Sequence, residues 1–209
     1  MPAPIDFYAW TTPNGFKVAI ALEEMELPYT VRPVNIGRGE QTRPEYLAIN
    51  PNNKIPAITD PDGPGGKPLT LFESGAILVY LAEKTGRFRP ADPTDWYRHI
   101  QWLMWQMAGV GPMIGQYGHF TLHAKEGNPA AEQRYGEEMR RLARVADTRL
   151  GEAEYLAGEY GIADMATWPW IKMAGKLGLE LDDHPNLKRW LDAVGERPAV
   201  RRGVALSVA

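Results

Sequence analysis

Two hydrophobic periodicities divide the chain into an N-terminal part that mixes strands with helices and a longer part that is helical throughout. Residues 7–10, Phe-Tyr-Ala-Trp, form an apolar run typical of a strand, and apolar residues then recur at helical spacing from Val18 to Met25. Between Tyr29 and Ile36 the apolar residues are separated by polar ones, which predicts a second strand. The chain is therefore expected to begin with a strand, helix, strand unit.

The next segments predict a short helix, a hairpin and a longer helix. Residues 43–49 are long enough for about two helical turns, and residues 55–58 form a brief strand near a proline. Residues 60–67, Asp-Pro-Asp-Gly-Pro-Gly-Gly-Lys, have the composition of a hairpin connection to a fourth strand at 69–72. Apolar positions between Ala76 and Lys84 predict a helix that Gly86 ends.

A segment without periodicity separates this part from the helical one. Residues 86–93 contain two prolines, and we predict that they link a domain at 1–85 to a helical domain at 94–209. An apolar stripe then runs from Trp96 to Ile114, and the glycines and proline at 109–115 are expected to bend its helix or to allow a close backbone approach. Further helices are predicted at 130–150, 162–177 and 186–194, followed by a short tail after Pro198.

Composition and charge exclude several classes of partner. The chain has 209 residues, 44% of them hydrophobic, which is enough for a globular core. Its 23 basic and 26 acidic residues give a net charge of -3 without a long basic run, so we predict neither nucleic-acid binding nor binding to an anionic membrane. No apolar run predicts a membrane span, and no signal peptide is recognised, from which we expect a cytoplasmic protein.

The sequence contains no cysteine, and this restricts its chemistry. Disulfides, thiolate metal ligands and a protein thiol nucleophile are all excluded. His119 and His123 have the spacing of two ligands on one helical face, but the residues between them include no glutamate, and we predict no metal site. If the protein performs thiol chemistry, the sulfur must therefore arrive with a ligand.

Three short segments together predict a binding site for a small peptide. Thr12 can cap the helix that begins at Pro13, and with Asn14 it lies where a helix N-terminus favours an anion. Ile55-Pro56 begins a strand and can be cis, and Glu73-Ser74 precedes another helix. Each segment alone is more typical of ordinary capping or of a strand edge. In combination they suit a peptide that carries carboxylates and a thiol.

These segments resemble the glutathione transferase superfamily over nearly the whole chain. The resemblance is carried by Thr12-Pro13-Asn14-Gly15, Asn52-Asn53-Lys54-Ile55-Pro56, residues 71–77, Ile162-Ala163-Asp164 and Trp168-Pro169-Trp170. The first turn and residues 101–106, Gln-Trp-Leu-Met-Trp-Gln, look most like the nu class, the bacterial branch related to the yeast nitrogen-regulatory prion protein. The resemblance implies an α/β thioredoxin-like N-terminal domain that binds glutathione, followed by an all-α C-terminal domain.

The resemblance also implies roles for individual residues. Thr12 and Asn14 are expected to face the glutathione sulfur, the Ile55 backbone to pair with the cysteinyl unit before a cis Pro56, and Glu73 with Ser74 to hold the γ-glutamyl end. Weaker assignments for the rest of glutathione, some of them across a dimer, are Gln41, Lys54, Gln101 and Arg134. For Lys54 and Arg134 a solvated surface charge is an equally good interpretation.

Two positions depart from the superfamily pattern. Gly161 stands three residues before Asp164, where the superfamily usually has Ser or Thr, although glycine is a serviceable helix cap. The Thr12 turn also lacks the catalytic tyrosine, serine or cysteine of other classes, and Tyr8 lies within the preceding strand.

The resemblance implies a glutathione-dependent thiol-disulfide oxidoreductase that reduces small disulfides with the bound glutathione thiolate. Two alternatives use the same site: a glutathione S-transferase that conjugates electrophiles, and a glutathione-binding regulatory protein without turnover. A homodimer is expected in each case.

Overall fold

The computed structural model describes residues 3–206, which form two compact units. The strands are β1 (Ile5–Ala9), β2 (Tyr29–Pro33), β3 (Ala57–Asp60) and β4 (Leu69–Phe72). The helices are α1 (Pro13–Glu24), α2 (Pro44–Leu47), α3 (Ser74–Thr85), α4 (Pro93–Trp105), α5 (Gly111–Gly118), α6 (Pro129–Glu152), α7 (Ile162–Lys176), α8 (Pro185–Gly195) and α9 (Pro198–Val204). No helix within residues 3–206 combines the length and the apolar composition that crossing a membrane requires.

The first unit is a four-stranded mixed sheet with helices, as the pattern predicts. The strand order is β2-β1-β3-β4, with β1 and β2 parallel and β3 antiparallel to both of its neighbours. Phe7 of β1 and Ile58 of β3 are fully buried, as are Leu22 of α1 and Leu81 of α3. The strand, helix, strand unit followed by a hairpin is therefore confirmed.

The helix predicted at 43–49 is shorter than expected, because α2 makes only one turn. After it, the Asn50 side chain and the Tyr46 hydroxyl both donate hydrogen bonds to the Lys54 carbonyl oxygen, at 2.7 Å and 2.5 Å. These bonds fold the chain into a turn where a second helical turn would otherwise continue.

The C-terminal segment differs from the prediction in both structure and position. Residues after Pro198 were expected to be a tail of the helical domain, but they form α9, which packs on α1 within the first unit. A Cβ atom on Gly203 would lie only 2.8 Å from the backbone nitrogen of Ile20, so the two helices are in close contact. Arg202 also donates to the Glu23 carboxylate at 2.6 Å. Residues 198–206 therefore complete the first unit, and residues 88–197 form the second.

The second unit is helical, and the predicted apolar stripe contributes to its own core. Leu103, Val110 and Ile114 are at most 1% exposed. A π-helical stretch, Gln106–Val110, separates α4 from α5, which begins at Gly111. A Cβ on Gly111 would lie 2.9 Å from the Gln106 side-chain nitrogen and 3.2 Å from the Trp170 indole nitrogen, so this glycine allows a close approach.

A buried carboxylate organises the second half of this unit. Asp164, in the first turn of α7, is 0% exposed and accepts hydrogen bonds from the Leu156 and Gly161 backbone N–H groups, both at 3.1 Å. The indole N–H of Trp190 donates to it at 2.8 Å. Burial raises the pKa of Asp164 to about 6, against the opposing effect of these donors. One side chain thereby joins α7, α8 and the loop before α7.

The unusual Gly161 is explained by a histidine packed against it. A Cβ atom at this position would lie 2.4 Å from Cε1 and 2.6 Å from Nδ1 of His99, which is 2% exposed on α4. The imidazole thus fills the space that a Ser or Thr cap would need. Burial lowers the pKa of His99, so the neutral ring is favoured there.

We expect Gly161→Ser to destabilise the protein by about 1–3 kcal/mol, because the new side chain overlaps the His99 ring. In a His99→Ala background the same change should instead add a few tenths of a kcal/mol, since Ser is the better cap once the space is free. Urea unfolding of the two single variants and the double variant measures this sign change. Equal effects of Gly161→Ser in both backgrounds would contradict the steric explanation.

Candidate functional site

The sheet register brings three predicted binding segments to one edge of the first unit. Ala57, the first residue of β3, pairs with Tyr8 near the end of β1 and with Phe72 at the end of β4. Because β3 runs antiparallel to both neighbours, its start lies beside their ends. The turn after β1, the Ile55-Pro56 segment and Glu73-Ser74 therefore meet at this edge.

The turn after β1 is shaped by Thr12 and Gly15. Thr12 has an extended backbone and caps α1, because its hydroxyl oxygen accepts a hydrogen bond from the Gly15 N–H at 3.3 Å. Its N–H donates to the Trp10 carbonyl oxygen at 2.8 Å. A Cβ on Gly15 would lie 2.4 Å from that same oxygen, so only glycine fits the turn. Thr12 and Asn14 are both half-buried at the positive end of the helix dipole.

The Ile55–Pro56 peptide bond is cis, as expected. The residue pairs of the sheet begin at Ala57, so the Ile55 backbone lies outside the ladder at its open end. The preceding carbonyl group, that of Lys54, is held by the Tyr46 and Asn50 side chains. These contacts fix the backbone that would receive an extended peptide.

Glu73 has a backbone conformation that is unfavourable for a residue with a side chain. Its φ is +69° and its ψ is 111°, and it directly precedes α3. Such strain costs of the order of 1–3 kcal/mol and is concentrated at functional sites. The Glu73 carboxylate is exposed and accepts a long hydrogen bond of 3.5 Å from Asn52, while Ser74 is buried as the first residue of the helix.

Lys17 contributes to this region although the pattern analysis did not select it. It lies on α1, is 1% exposed, and its ammonium group donates to the Ser74 hydroxyl oxygen at 3.3 Å. Burial lowers the pKa of Lys17 to about 7, whereas the Glu73 carboxylate raises it. A lysine within the apolar run from Phe16 to Leu22 is the signal that could have identified it.

The four residues with weaker glutathione-binding assignments are divided between the two units. Gln41 lies in the single turn Glu40–Thr42, and its side-chain oxygen is buried without a hydrogen-bond partner among residues 3–206. Lys54 is exposed beside Ile55. Gln101 and Arg134 belong to the second unit, where both are exposed, on α4 and α6. The roles of these four residues stay predictions.

In the part of the chain that the structure describes, no three His, Asp or Glu side chains are grouped as metal ligands would be. The chemical groups at the sheet edge are hydroxyls, amides, backbone N–H groups, the Lys17 and Lys54 ammonium groups and the Glu73 carboxylate. This set is suited to binding an anionic, peptide-like ligand.

Comparison with known sequences identifies the family. The family model for the glutathione S-transferase N-terminal domain matches residues 11–84, and the family model for the glutathione S-transferase C-terminal domain matches residues 110–198. The disulfide-bond oxidoreductase YfcG of Escherichia coli K12 is 48% identical over 197 residues, which are 93% of this chain and 92% of that protein. The disulfide-bond oxidoreductase YghU of the same strain is 39% identical over 215 residues, covering 96% of this chain and 74% of that protein.

Solved structures agree with this result. A glutathione transferase from Burkholderia graminis, crystallised with two glutathione molecules per subunit, has a TM-score of 0.92 at 48% identity and covers 96% of this chain and 87% of its own. A glutathione transferase from Pseudomonas putida, crystallised with one glutathione disulfide per subunit, has a TM-score of 0.94 at 43% identity. The match covers 97% of this chain and 91% of that one. The predicted fold class is thereby confirmed, and the chain belongs to the glutathione S-transferase family.

Proposed function

We propose that this protein is a glutathione-dependent thiol-disulfide oxidoreductase that reduces small disulfides with the thiolate of bound glutathione. The observation that carries the proposal is the Thr12 turn, which offers hydrogen-bond donors to a thiolate in a protein without a cysteine of its own. The 48% identity to a protein named as a disulfide-bond oxidoreductase supports the same activity.

The proposed role of Thr12 and Asn14 is to stabilise the glutathione thiolate. A free thiol has a pKa of about 8.5, and lowering it by about two units requires roughly 2.7 kcal/mol of preference for the thiolate. The Thr12 oxygen already accepts from Gly15, and its own hydrogen can be donated to the sulfur. Hydrogen bonds to a charged group contribute about 1.5–3 kcal/mol each, so this hydroxyl and the Asn14 amide, with the helix dipole, are sufficient.

The reaction then proceeds by two thiol-disulfide exchanges. The bound glutathione thiolate attacks one sulfur of the substrate disulfide, forms a mixed disulfide and releases the other sulfur as a thiolate. A second glutathione thiolate attacks the glutathione sulfur of the mixed disulfide, which yields glutathione disulfide and releases the remaining substrate thiolate. The two substrate thiolates are protonated by water, and two glutathione molecules are oxidised for each disulfide reduced.

The remaining parts of glutathione have complementary groups at the sheet edge. In this proposal the cysteinyl backbone pairs with Ile55, and the γ-glutamyl carboxylate binds at Ser74 and the start of α3. The Glu73 carboxylate faces the γ-glutamyl ammonium group. Gln41, Lys54, Gln101 and Arg134 are proposed to bind the rest of the tripeptide, some of them across a dimer.

We assign the protein to the nu class, and we propose that it is a homodimer located in the cytoplasm. Tyr97 and Met104 are 69% and 48% exposed on α4, and with Gln101 they follow one another on the same helical face, which would suit a subunit interface. Glutathione is kept reduced in the cytosol, where a consumer of its thiol would find substrate.

The proposed activity is tested by incubating the purified protein with glutathione and a small dialkyl disulfide, in parallel with an electrophile such as an aryl halide. Turnover of the disulfide above the uncatalysed exchange is expected. Glutathione binding with turnover of the electrophile alone would favour the transferase alternative. Binding without turnover of either compound would favour the regulatory alternative and overturn the oxidoreductase proposal.

We expect Thr12→Ala and Asn14→Ala each to lower kcat/KM for the disulfide by about 10- to 100-fold, because each removes a donor to the thiolate. Thr11→Ala is the matched control, since Thr11 is exposed in the same turn and has no proposed contact. Steady-state kinetics, together with urea unfolding to verify that the fold is retained, measure the effect. Rates equal to the control in both variants would place the thiolate elsewhere.

We expect Glu73→Gly to weaken glutathione binding without lowering the stability of the fold. Glycine tolerates the positive φ, so the free energy of unfolding should not fall and should rise by up to about 1 kcal/mol. Glutathione affinity should fall at least about tenfold, since the carboxylate opposite the ammonium group is lost. Glu26→Gly is the control, because Glu26 also has a positive φ of 57° but lies at the end of α1. Unchanged affinity in Glu73→Gly, measured by calorimetry, would exclude the proposed contact.

A further inference from the structure

A cavity of about 300 Å³ lies on the first unit, beside the short helix α2. It is lined by Tyr8 of β1, by the end of β2 at residues 32–34, and by side chains between Glu40 and Ile49. We call it the α2 cavity. Cavities of this size hold small organic ligands. The residues that line it include none of those proposed to bind glutathione, so it is distinct from the proposed glutathione site.

The strand residues of the α2 cavity face away from the apolar core. Phe7 is 0% exposed, and since successive side chains of a strand point to opposite faces, the half-buried Tyr8 lies on the other face of the sheet. Tyr8 and Arg32 are paired in the parallel ladder, so both side chains belong to that face. The sheet therefore supplies one wall of the cavity, and residues 40–49 supply the other.

Two tyrosine rings form an apolar corner in the cavity. The ring centroids of Tyr8 and Tyr46 are 6.3 Å apart, and the ring planes meet at 64°. The Tyr46 hydroxyl donates to the Lys54 carbonyl oxygen, so its ring is held in place without a ligand. Val34 and Ile49 add aliphatic surface to the lining. A planar aromatic ring can stack on one tyrosine and meet the edge of the other.

Two arginines of the α2 cavity have N–H donors to offer a ligand. Arg32 donates from Nε to the Asp6 carboxylate at 2.9 Å, and Arg43 lies 3.3 Å from the Glu40 carboxylate. A guanidinium has five N–H donors, and among residues 3–206 these contacts occupy one on each side chain. The remaining donors match the two oxygens of a carboxylate, which arginine binds in a bidentate manner.

Two carboxylates also line the cavity, and their environments differ. Glu40 accepts a hydrogen bond from the Asn35 N–H at 2.8 Å and is paired with Arg43. Glu45 is exposed in the first turn of α2, where solvent weakens its repulsion of an anion. An anion bound by the arginines is therefore opposed chiefly by Glu45.

We propose that the α2 cavity binds an aromatic monocarboxylic acid, whose ring lies against Tyr8 and Tyr46 and whose carboxylate is bound by Arg43 and Arg32. The ring replaces water on the tyrosines and on the aliphatic side chains, and the carboxylate takes donors that the ion pairs within the chain leave available. The proposal does not depend on the proposed function, because none of its residues belongs to the proposed glutathione site.

The probe for this site is 2-naphthoate, and 2-naphthamide is its neutral counterpart of similar shape. Calorimetry should show that the wild-type protein binds 2-naphthoate at least about tenfold more tightly than 2-naphthamide, because only the carboxylate forms charge-assisted hydrogen bonds with both arginines. Saturating glutathione should change the 2-naphthoate affinity by less than about threefold, since the two sites are distinct.

Two substitutions in the cavity should change the 2-naphthoate affinity in opposite directions. Arg43→Gln should weaken binding about tenfold and reduce the discrimination between the two probes. Glu45→Gln should strengthen binding about two- to threefold, since it removes a like charge. Arg38→Gln is the matched control, because Arg38 is exposed in the same segment but does not line the cavity, and it should leave both affinities unchanged.

Ile49→Trp tests the cavity itself. Ile49 is half-buried, and the larger ring should occupy the space and weaken binding of both probes at least about tenfold. Urea unfolding verifies that each variant is folded. If Ile49→Trp does not fold, the variants of Arg43 and Glu45 decide, since both of these side chains are exposed.

The proposal is overturned if the wild-type protein does not bind 2-naphthoate, binds both probes equally, or releases 2-naphthoate when glutathione is added. Wild-type affinity in Arg43→Gln would overturn it as well, because the acid would then bind elsewhere. Wild-type protein that binds 2-naphthoate as expected but has no disulfide turnover would overturn only the proposed function.

Discussion

The pairing of Ala57 with Tyr8 on one side and Phe72 on the other is the constraint on which the candidate site depends. It places the start of one strand between the ends of two others. A slip of one residue in this register would turn every side chain of β3 to the opposite face of the sheet and move the Ile55–Pro56 bond away from both flanking turns. The buried residues Phe7 and Ile58 oppose such a slip, so the apolar core fixes the relative positions of the polar groups at the edge.

Both units bury charged side chains, and Asp164 and Lys17 interact with different kinds of group. Asp164 receives three hydrogen bonds from neutral donors that belong to the fold itself, so its environment is complete within the second unit. Lys17 donates to the Ser74 hydroxyl oxygen, and the exposed Glu73 carboxylate interacts with its charge. The partners named for the carboxylate are N–H donors, whereas those named for the lysine are an oxygen acceptor and an opposite charge.

The periodicity of apolar residues predicted most of the fold. The elements that it did not predict depend on contacts between residues that are distant in the sequence. The four strands and the long helices follow from periodicity, and the cis bond before Pro56 was expected from the family resemblance. The single turn of α2 could not be predicted, because it depends on side chains that bind a carbonyl group eight residues from Tyr46. The packing of α9 on α1 likewise depends on a contact between residues 20 and 203. The tight fit of His99 against Gly161 is a third case, in which a glycine is explained only by a residue on another helix.

In the candidate site, too, features that depend on neighbouring residues could be predicted, and features that depend on distant contacts could not. Thr12, Pro56 and Ser74 were selectable because caps, strand starts and helix starts leave signals in the nearby sequence. Lys17 was missed because its importance depends on burial and on Ser74, which is 57 residues away in the chain.

The packing of α9 on the first unit has a consequence for biosynthesis. Part of the α1 surface stays uncovered until residues 198–204 have been synthesised, so the first unit is completed only after the whole helical unit has been made.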